Sequence, residues 1–417
     1  MTLYLLMALA AAVVTFGLSF LVLKLGLRFR LHPPIRERDV HTRPTPRLGG
    51  IAMFGGVTIA LAIASQIPFF RLVFAEPGKI WAIVLAALII VLIGVADDLL
   101  DLDWMIKLAG QILAGGVLAW QGVAITSLPI GGLTVGSGQM SLILTVFAVV
   151  FVMNAVNFID GLDGLVAGVA IIANGVFFLY SYLLVVVTTP INYFNLASLI
   201  SVIVIGACVG FLPFNWHPAR LFMGDAGAYL IGLLMATSAI AVTGQVDPGQ
   251  MAQFGRASLF PAFLPILLPI AILVVPLLDF TLAVTRRLRA GKSPFSADRQ
   301  HLHHRLLDMG HSVVHAVVIF YSWTAVVSVG LLLFWVVKPY TWAIAFLVVG
   351  LIICTLLTLA PLSRRKAVEA AAQAAPAEAT DSAVAQFDPL DEAADALPAG
   401  VEPPALPPPS DLKGTLR

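Results

Sequence analysis

The chain has 417 residues, 59% of them hydrophobic and only 11% charged, with a mean hydropathy of +0.97 and a formal net charge of +1. Water-soluble domains carry about a quarter charged residues, so a soluble globular fold is excluded. Both cysteines, Cys208 and Cys354, fall inside apolar runs, which argues against a disulfide framework or a thiolate metal site.

Apolar runs of about 20 residues, long enough to cross a bilayer as a helix, recur along the chain. In order they cover 2–24, 49–70, 79–96, 107–121, 141–157, 165–188, 194–213, 226–244, 260–284, 314–336 and 339–360. This pattern predicts an all-α, polytopic membrane protein of about eleven transmembrane helices. The first run lacks the basic start of a cleaved signal, and further spans follow it. From residue 361 the composition turns to Ala, Pro and acidic residues. The expectation is a transmembrane domain over 1–360 and a disordered tail over 361–417. With the N-terminus outside and the chain alternating from span to span, 20 of the 24 Lys and Arg fall in inner loops and the tail. That is the positive-inside pattern.

With this topology every polar cluster lands on the cytoplasmic side. "HTRPTPRLGG" (41–50) precedes the second span, and "ADDLLDLD" (96–103) follows the third. "NAVNFIDGLDG" (154–164) closes the fifth, and "NWHPARLFMGDAG" (215–227) opens the eighth. "GKSPFSADRQHLHHRLLDMGHS" (291–312) lies between the ninth and tenth. Outer loops such as 121–139 hold nothing resembling a site. Such one-sidedness predicts a single active site at the cytoplasmic membrane surface.

The residue types suggest its chemistry. Asp97, Asp98, Asp101 and Asp103 crowd one span end, where close carboxylates repel unless a cation or protons intervene. Oxygen ligands without Cys favour a hard ion such as Mg²⁺. Asp225, between Gly224 and Gly227, suits a helix N-terminus that also favours phosphate; the plainer reading is a helix cap. Asn154/Asn157 and Asp160/Asp163 each put two polar groups on one side of a turn. His301, His303 and His304, flanked by Arg299 and Arg305, read as a donor-rich anion cradle rather than a zinc site. Arg43, Arg47 and Lys107 are candidate phosphate contacts, although inner-face topology alone also accounts for such cations. "LGGIAMFGG" (48–56) has the small residues of close helix packing. Together these features suggest chemistry on a nucleotide or diphosphate with a lipid as the other reactant. An ion-coupled transporter is the rival class, but its carboxylates belong near the bilayer midplane rather than at span ends.

The ordered set "DDLLD", "NAVNFIDGLDGL", "FMGDAG" and "HLHH", with "PTPRLGG" ahead of it, resembles the polyprenyl-phosphate N-acetylhexosamine-1-phosphate transferase family over residues 1–360. "HLHH" followed by "RLLDMGHS" is similar to the branch that transfers N-acetylglucosamine 1-phosphate. The branch using UDP-MurNAc-pentapeptide, in peptidoglycan synthesis, has three consecutive histidines where this chain has Leu302. The resemblance implies helices around a cytoplasmic groove, with Mg²⁺ as cofactor (Mn²⁺ as a substitute), UDP-GlcNAc as donor and a polyprenyl phosphate of the bilayer as acceptor. It implies no nucleic-acid partner, and a homodimer is a further expectation. Asp97, Asp98 and Asp225 would be catalytic, and Asn157, Asp225 and Asp98 would hold the metal. Asp97 and Lys107 would meet the lipid phosphate, and Asp163 the nucleotide. His301, His303 and His304 would hold the sugar diphosphate, with Arg43, Arg47, Asn154 and Asp160 as further substrate contacts. The product would be the first lipid-linked intermediate of a cell-envelope polysaccharide, made at the bacterial plasma membrane.

Topology gives the first test. Single cysteine labels in 291–312 and in the tail should react only from the cytoplasmic side, and labels in 121–139 only from outside. Labelling of 291–312 from outside would break the single-face expectation.

Overall fold

The computed structural model describes residues 1–29, 31, 45–126, 137–188, 196–243 and 306–374, with isolated positions 267, 285, 288, 289 and 291. The helices are α1 (Thr2–Arg28), α2 (Gly49–Ser65), α3 (Pro77–Leu100), α4 (Trp104–Trp120), α5 (Gly138–Phe158), α6 (Leu165–Thr188), α7 (Leu196–Asn215), α8 (Gly224–Thr243), α9 (Val313–Val336) and α10 (Thr341–Ala374). No strand occurs among the described residues. Eight of these helices are long and apolar enough to cross a bilayer; α2 and α4 are apolar but only 17 residues long. The protein is an all-α, multi-pass membrane protein. The expected ninth span, 260–284, lies almost wholly outside the described residues.

Local chemistry moves several boundaries from their expected places. The second span does not run to residue 70. Ile67, ahead of Pro68, is extended (φ −93°, ψ 118°), because a residue preceding proline is disfavoured in the α region; α2 therefore stops at Ser65 and a short 3₁₀ turn, Pro68–Phe70, follows. Helix α3 begins with Pro77 at its first position and runs on to Leu100, so Asp97 and Asp98 belong to its last turn. Asp101 caps that end in the left-handed region (φ 55°), and Asp103 caps α4 by accepting the Met105 N–H at 2.8 Å. Two of the four clustered aspartates thus have local backbone roles. Asp225 lies inside the first turn of α8 rather than ahead of it as a cap. The apolar-to-polar change at 361 is no helix end, since α10 continues to Ala374; residues 375–417 lie outside the described residues.

Within the unit Met1–Pro361, α8 is the hub. It packs against α2, α3, α5 and α7, and 83% of its apolar window is buried, against 22% for α1. Helix α4 is wedged between α3 and α5, α1 lies on α2 and α7, and α9 packs on α6. Backbones meet where glycines allow it. A Cβ at Gly94 of α3 would stand 2.3 Å from the Ala226 Cα, and one at Gly50 of α2 would stand 2.4 Å from the Gly227 N. In a bilayer, where lipid tails are as apolar as the helices, such small-residue contacts replace the hydrophobic effect as the source of association.

These contacts make a sharp prediction. Gly94→Ala should lower the melting temperature in detergent, since overpacking of this kind costs about 1–3 kcal/mol. Gly116→Ala, with nothing within 4 Å of the added carbon, should be neutral or slightly stabilising. Equal melting temperatures for the two variants would refute the close-approach argument.

Candidate active site

The acidic and basic groups come together at one end of the bundle, where α3, α5 and α7 finish and α2, α4, α6 and α8 begin. Two crossings of the chain build the frame. The Phe222 N–H donates to the Pro46 carbonyl at 2.9 Å, and the Gly49 and Gly50 N–H groups donate to the Phe222 and Met223 carbonyls at 3.0 Å each. The loop carrying Arg47 is thereby stitched to the segment that enters α8. Gly224 then turns with φ +69°, and a Cβ there would lie 2.3 Å from Asp98 Oδ2. Glycine is needed at this point both for its backbone angle and for the space.

Asp98 sits one helical turn beyond Gly94, so the α3–α8 contact carries its carboxylate to the N-terminus of α8. Its Oδ1 accepts the Asp225 N–H at 3.4 Å, while its Oδ2 is buried without a hydrogen-bond partner. A helix N-terminus favours an anion, but an orphaned carboxylate oxygen out of water is costly. Asp225 Oδ1 accepts from Asn157 Nδ2 at 3.0 Å, which leaves the Asn157 Oδ1 as an oxygen donor. Lys107 Nζ lies 3.1 Å from Asp97 Oδ2 and 3.7 Å from Asp225 Oδ2. The Asp97 Oδ1 accepts the Leu102 N–H at 2.9 Å. Lys107 thus draws the Asp97 and Asp225 carboxylates toward one point, where like charges repel unless a cation stands between them.

A cleft of about 150 Å³ opens beside this cluster, lined by Arg47, Asp98, Asp160, Asp163, Asn215, Phe222 and Asp225 among others. Burial, with the Asp225 charge nearby, pushes the Asp160 carboxyl up to about 7, and the Arg47 guanidinium pulls the other way. A cation entering the cleft would favour its ionised form. The Asp160–Gly164 turn is held from three directions. Asp163 Oδ2 accepts the Ala219 N–H at 3.1 Å and lies 2.8 Å from His217 Nδ1. Asn215 Oδ1 accepts the Gly164 N–H at 3.0 Å, while Asn215 Nδ2 donates to the Leu221 carbonyl at 3.1 Å. The Tyr321 hydroxyl of α9 donates to the Gly164 carbonyl.

Of the residues expected from sequence, Arg47, Asp97, Asp98, Lys107, Asn157, Asp160, Asp163 and Asp225 meet here. Asn154, like Asp97, Lys107 and Asn157, does not line the cleft, and unlike them it has no contact with the acidic cluster: its Nδ2 donates to Gln111 Oε1 at 2.6 Å and to the Val150 carbonyl at 2.8 Å. Arg43, His301, His303 and His304 lie outside the described residues. Gln111, Asn215, His217 and Tyr321 did not stand out in the sequence. An amide within an apolar run is the signal that could have found Gln111, and Asn215 and His217 lie in the stretch 215–227, but only the fold shows what they hold. Among the described residues no three His, Cys, Asp or Glu side chains converge as metal ligands.

Comparison with known proteins bears on this geometry. The sequence pattern described as glycosyl transferase family 4 matches residues 80–243, which run from α3 to the end of α8. A decaprenyl-phosphate N-acetylglucosaminephosphotransferase of Mycolicibacterium smegmatis is 40% identical over 364 residues, 86% of this chain and 89% of that one. The chain belongs to glycosyl transferase family 4. The protein of the same name from Mycobacterium tuberculosis (strain ATCC 25618 / H37Rv) is also 40% identical, over 86% of this chain and 89% of its own. More distant is the undecaprenyl-phosphate alpha-N-acetylglucosaminyl 1-phosphate transferase of Escherichia coli (strain K12), 29% identical over 69% of this chain and 71% of that one. The matched segment carries Asp97, Asp98, Lys107, Asn157, Asp160, Asp163 and Asp225 of this family member.

Lys107 is the counter-charge to two carboxylates on two other helices. Lys107→Met should therefore destabilise the fold by about 1–3 kcal/mol, the cost of leaving a largely buried partner unsatisfied. Adding Asp97→Asn should restore part of the loss. Thermal melts of the single and double variants test this, and an unshifted Lys107→Met would refute it.

Proposed function

We propose that this protein transfers N-acetylglucosamine 1-phosphate from UDP-GlcNAc to a polyprenyl phosphate of the decaprenyl or undecaprenyl class, releasing UMP. The observation that carries the reading is the meeting of Asp97, Asp98, Asp225, Lys107 and Arg47 at one end of a bundle of membrane helices. A lipid phosphate can reach such a place from the bilayer and a nucleotide sugar from the water. The names of the relatives support the acceptor and the transferred group. Acidic groups at helix ends, rather than at mid-helix, favour this over ion transport.

The residues fit a hard divalent cation. Asp98 offers a buried, unpartnered oxygen, Asp225 a carboxylate and Asn157 an amide oxygen. Such an all-oxygen set suits Mg²⁺, which typically takes one or two carboxylates and fills its shell with water and substrate phosphates. When bound, Mg²⁺ supplies charge neutralisation on the donor's diphosphate.

The chain's own groups would act as follows. Lys107 attracts the acceptor phosphate, and Arg47 and the N-terminus of α8 draw the donor diphosphate into the cleft. Asp160 and Asp163 face the nucleotide end. An acceptor oxygen forms a bond to the β-phosphorus as the bond from that phosphorus to the bridging oxygen breaks, and the electron pair leaves on UMP. A phosphate monoester has a second pKa near 6, so at neutral pH the acceptor is mostly dianionic and needs no strong base. Asp97 supports direct attack rather than an aspartyl intermediate, because one of its oxygens is held by the Leu102 N–H and the other by Lys107. It aligns the lysine and the incoming phosphate. The His301–His304 loop remains the candidate for sugar discrimination, and the site is proposed to face the cytoplasm of a bacterial plasma membrane. The product would start a lipid-linked envelope polysaccharide.

The purified protein with decaprenyl phosphate and Mg²⁺ should release UMP from UDP-GlcNAc and not from UDP-MurNAc-pentapeptide. Asp98→Asn and Asp225→Asn should each cut turnover by about 10²-fold or more, the scale of lost transition-state charge stabilisation. They should also shrink the rise in melting temperature caused by Mg²⁺ alone. Near-normal turnover in both variants at limiting Mg²⁺ would sink the metal assignment, and turnover of the pentapeptide donor alone would overturn the choice of sugar.

A further inference from the structure

The hydrogen bond between Gln111 and Asn154 lies behind the cleft and takes no part in the chemistry described above. Gln111 is 2% exposed on an otherwise apolar face of α4, where an amide without a partner is costly. Its Oε1 receives the Asn154 Nδ2 of α5 at 2.6 Å. The spacing gives this bond its meaning. Gln111 follows Lys107 by four residues and shares its side of α4, while Asn154 precedes Asn157 by three and shares its side of α5. The bond therefore joins the two helices one turn behind Lys107 and Asn157. Further along, α4 and α5 touch through small surfaces: a Cβ at Gly115 would lie 3.2 Å from the Val146 Cα. Such smooth contact does little to fix register, which falls to polar bonds: those of Ile125 with Thr145 and Ser141 beyond the far end of α4, and the Gln111–Asn154 bond at the end that carries the site. A buried polar pair fixes register more than it adds net stability.

We propose that Gln111 and Asn154 are positioning residues for the acceptor phosphate. By locking the register of α4 against α5, their bond sets where the Lys107 ammonium stands relative to the Asn157–Asp225 pair. Lys107 already has to satisfy Asp97 of α3 at 3.1 Å and Asp225 of α8 at 3.7 Å, so a small slide of α4 changes both contacts. The pair of asparagines in "NAVN" then divides the work: Asn157 faces Asp225, and Asn154 aligns the neighbouring helix. The donor site, on Arg47, Asp160 and Asp163, contains no residue of α4, and the turn that follows α5 is held by Asn215, His217 and Tyr321, so a slide of α4 leaves it in place. This inference rests on the phosphotransferase reading, which assigns Lys107 to the lipid phosphate.

The test uses the full chain in nanodiscs. Gln111→Met keeps the length of the side chain and removes its acceptor, and Gln111→Asn/Asn154→Gln exchanges the two lengths across the same gap. Gln111→Met should raise the KM for decaprenyl phosphate about five- to tenfold, the scale of one hydrogen bond. It should also shrink the rise in melting temperature caused by decaprenyl phosphate without donor. The KM for UDP-GlcNAc should stay where it is, the lipid-free melting temperature should fall only slightly because Asn154 Nδ2 keeps the Val150 carbonyl, and the exchanged pair should recover most of the lipid KM. An unmoved lipid KM, or equal shifts in both KM values, overturns the proposal. So does a fall in lipid-free melting temperature with both KM values unmoved, which marks the pair as structural only. Absence of UMP release from the unsubstituted protein would overturn the phosphotransferase reading and this inference with it. Normal release with an unmoved lipid KM overturns the inference alone.

Discussion

The backbone contact between α3 and the start of α8 is the constraint on which the site depends. Gly94 meets Ala226 so closely that even a methyl group would intrude. One turn later the same face of α3 presents Asp98, which arrives at the first N–H groups of α8 with no freedom to stand off. Gly224 repeats the condition from the other side, since its missing Cβ is the space that Asp98 Oδ2 occupies. The geometry of the carboxylates is therefore a consequence of helix packing, and packing in a bilayer is governed by which residues are small.

Charge placement follows a second constraint. Ionised groups at mid-bilayer are expensive, so an apolar bundle can concentrate acids only where helices end and water or backbone dipoles compensate them. Asp97 and Asp98 sit on the last turn of α3, Asp225 on the first turn of α8, and Lys107 on the first turn of α4. Lys107 offsets two carboxylates, and Arg47 lies within electrostatic reach of Asp98 and Asp160. The buried Asp98 Oδ2 is left without a hydrogen-bond partner, and it is the atom on which the proposed Mg²⁺ site rests.

The turn from Asp160 to Gly164 shows how a flexible, glycine-containing segment becomes a fixed surface. Its own sequence supplies the bend; its rigidity comes from Asn215 and His217 at the end of α7 and from Tyr321 of α9. Asn215 also ties this turn to Leu221, and so to the segment that leads into Asp225. The two acidic segments of the site are thus joined through one buried amide, from a stretch of chain that carries no charge at that position.

Much of this protein was legible in its sequence because a bilayer simplifies the problem. Apolar length alone marks helices, and the one-sided scatter of Asp, Asn and Lys marks the end where chemistry belongs. The motif residues Asp97, Asp98, Asn157, Asp163 and Asp225 stand out by residue type and spacing alone. Their partners do not. Whether Asp103 caps a helix or joins the cluster depends on where α4 begins, and the sequence does not separate it from Asp97. Asn154 and Asn157 look alike in "NAVN" and lie one turn apart on the same side of α5, yet Asn157 meets Asp225 of α8 and Asn154 meets Gln111 of α4. Periodicity tells which residues share a face of their own helix. Which neighbour that face meets, and how closely, depends on side-chain sizes summed over helices distant in sequence, and only the tertiary structure decides that.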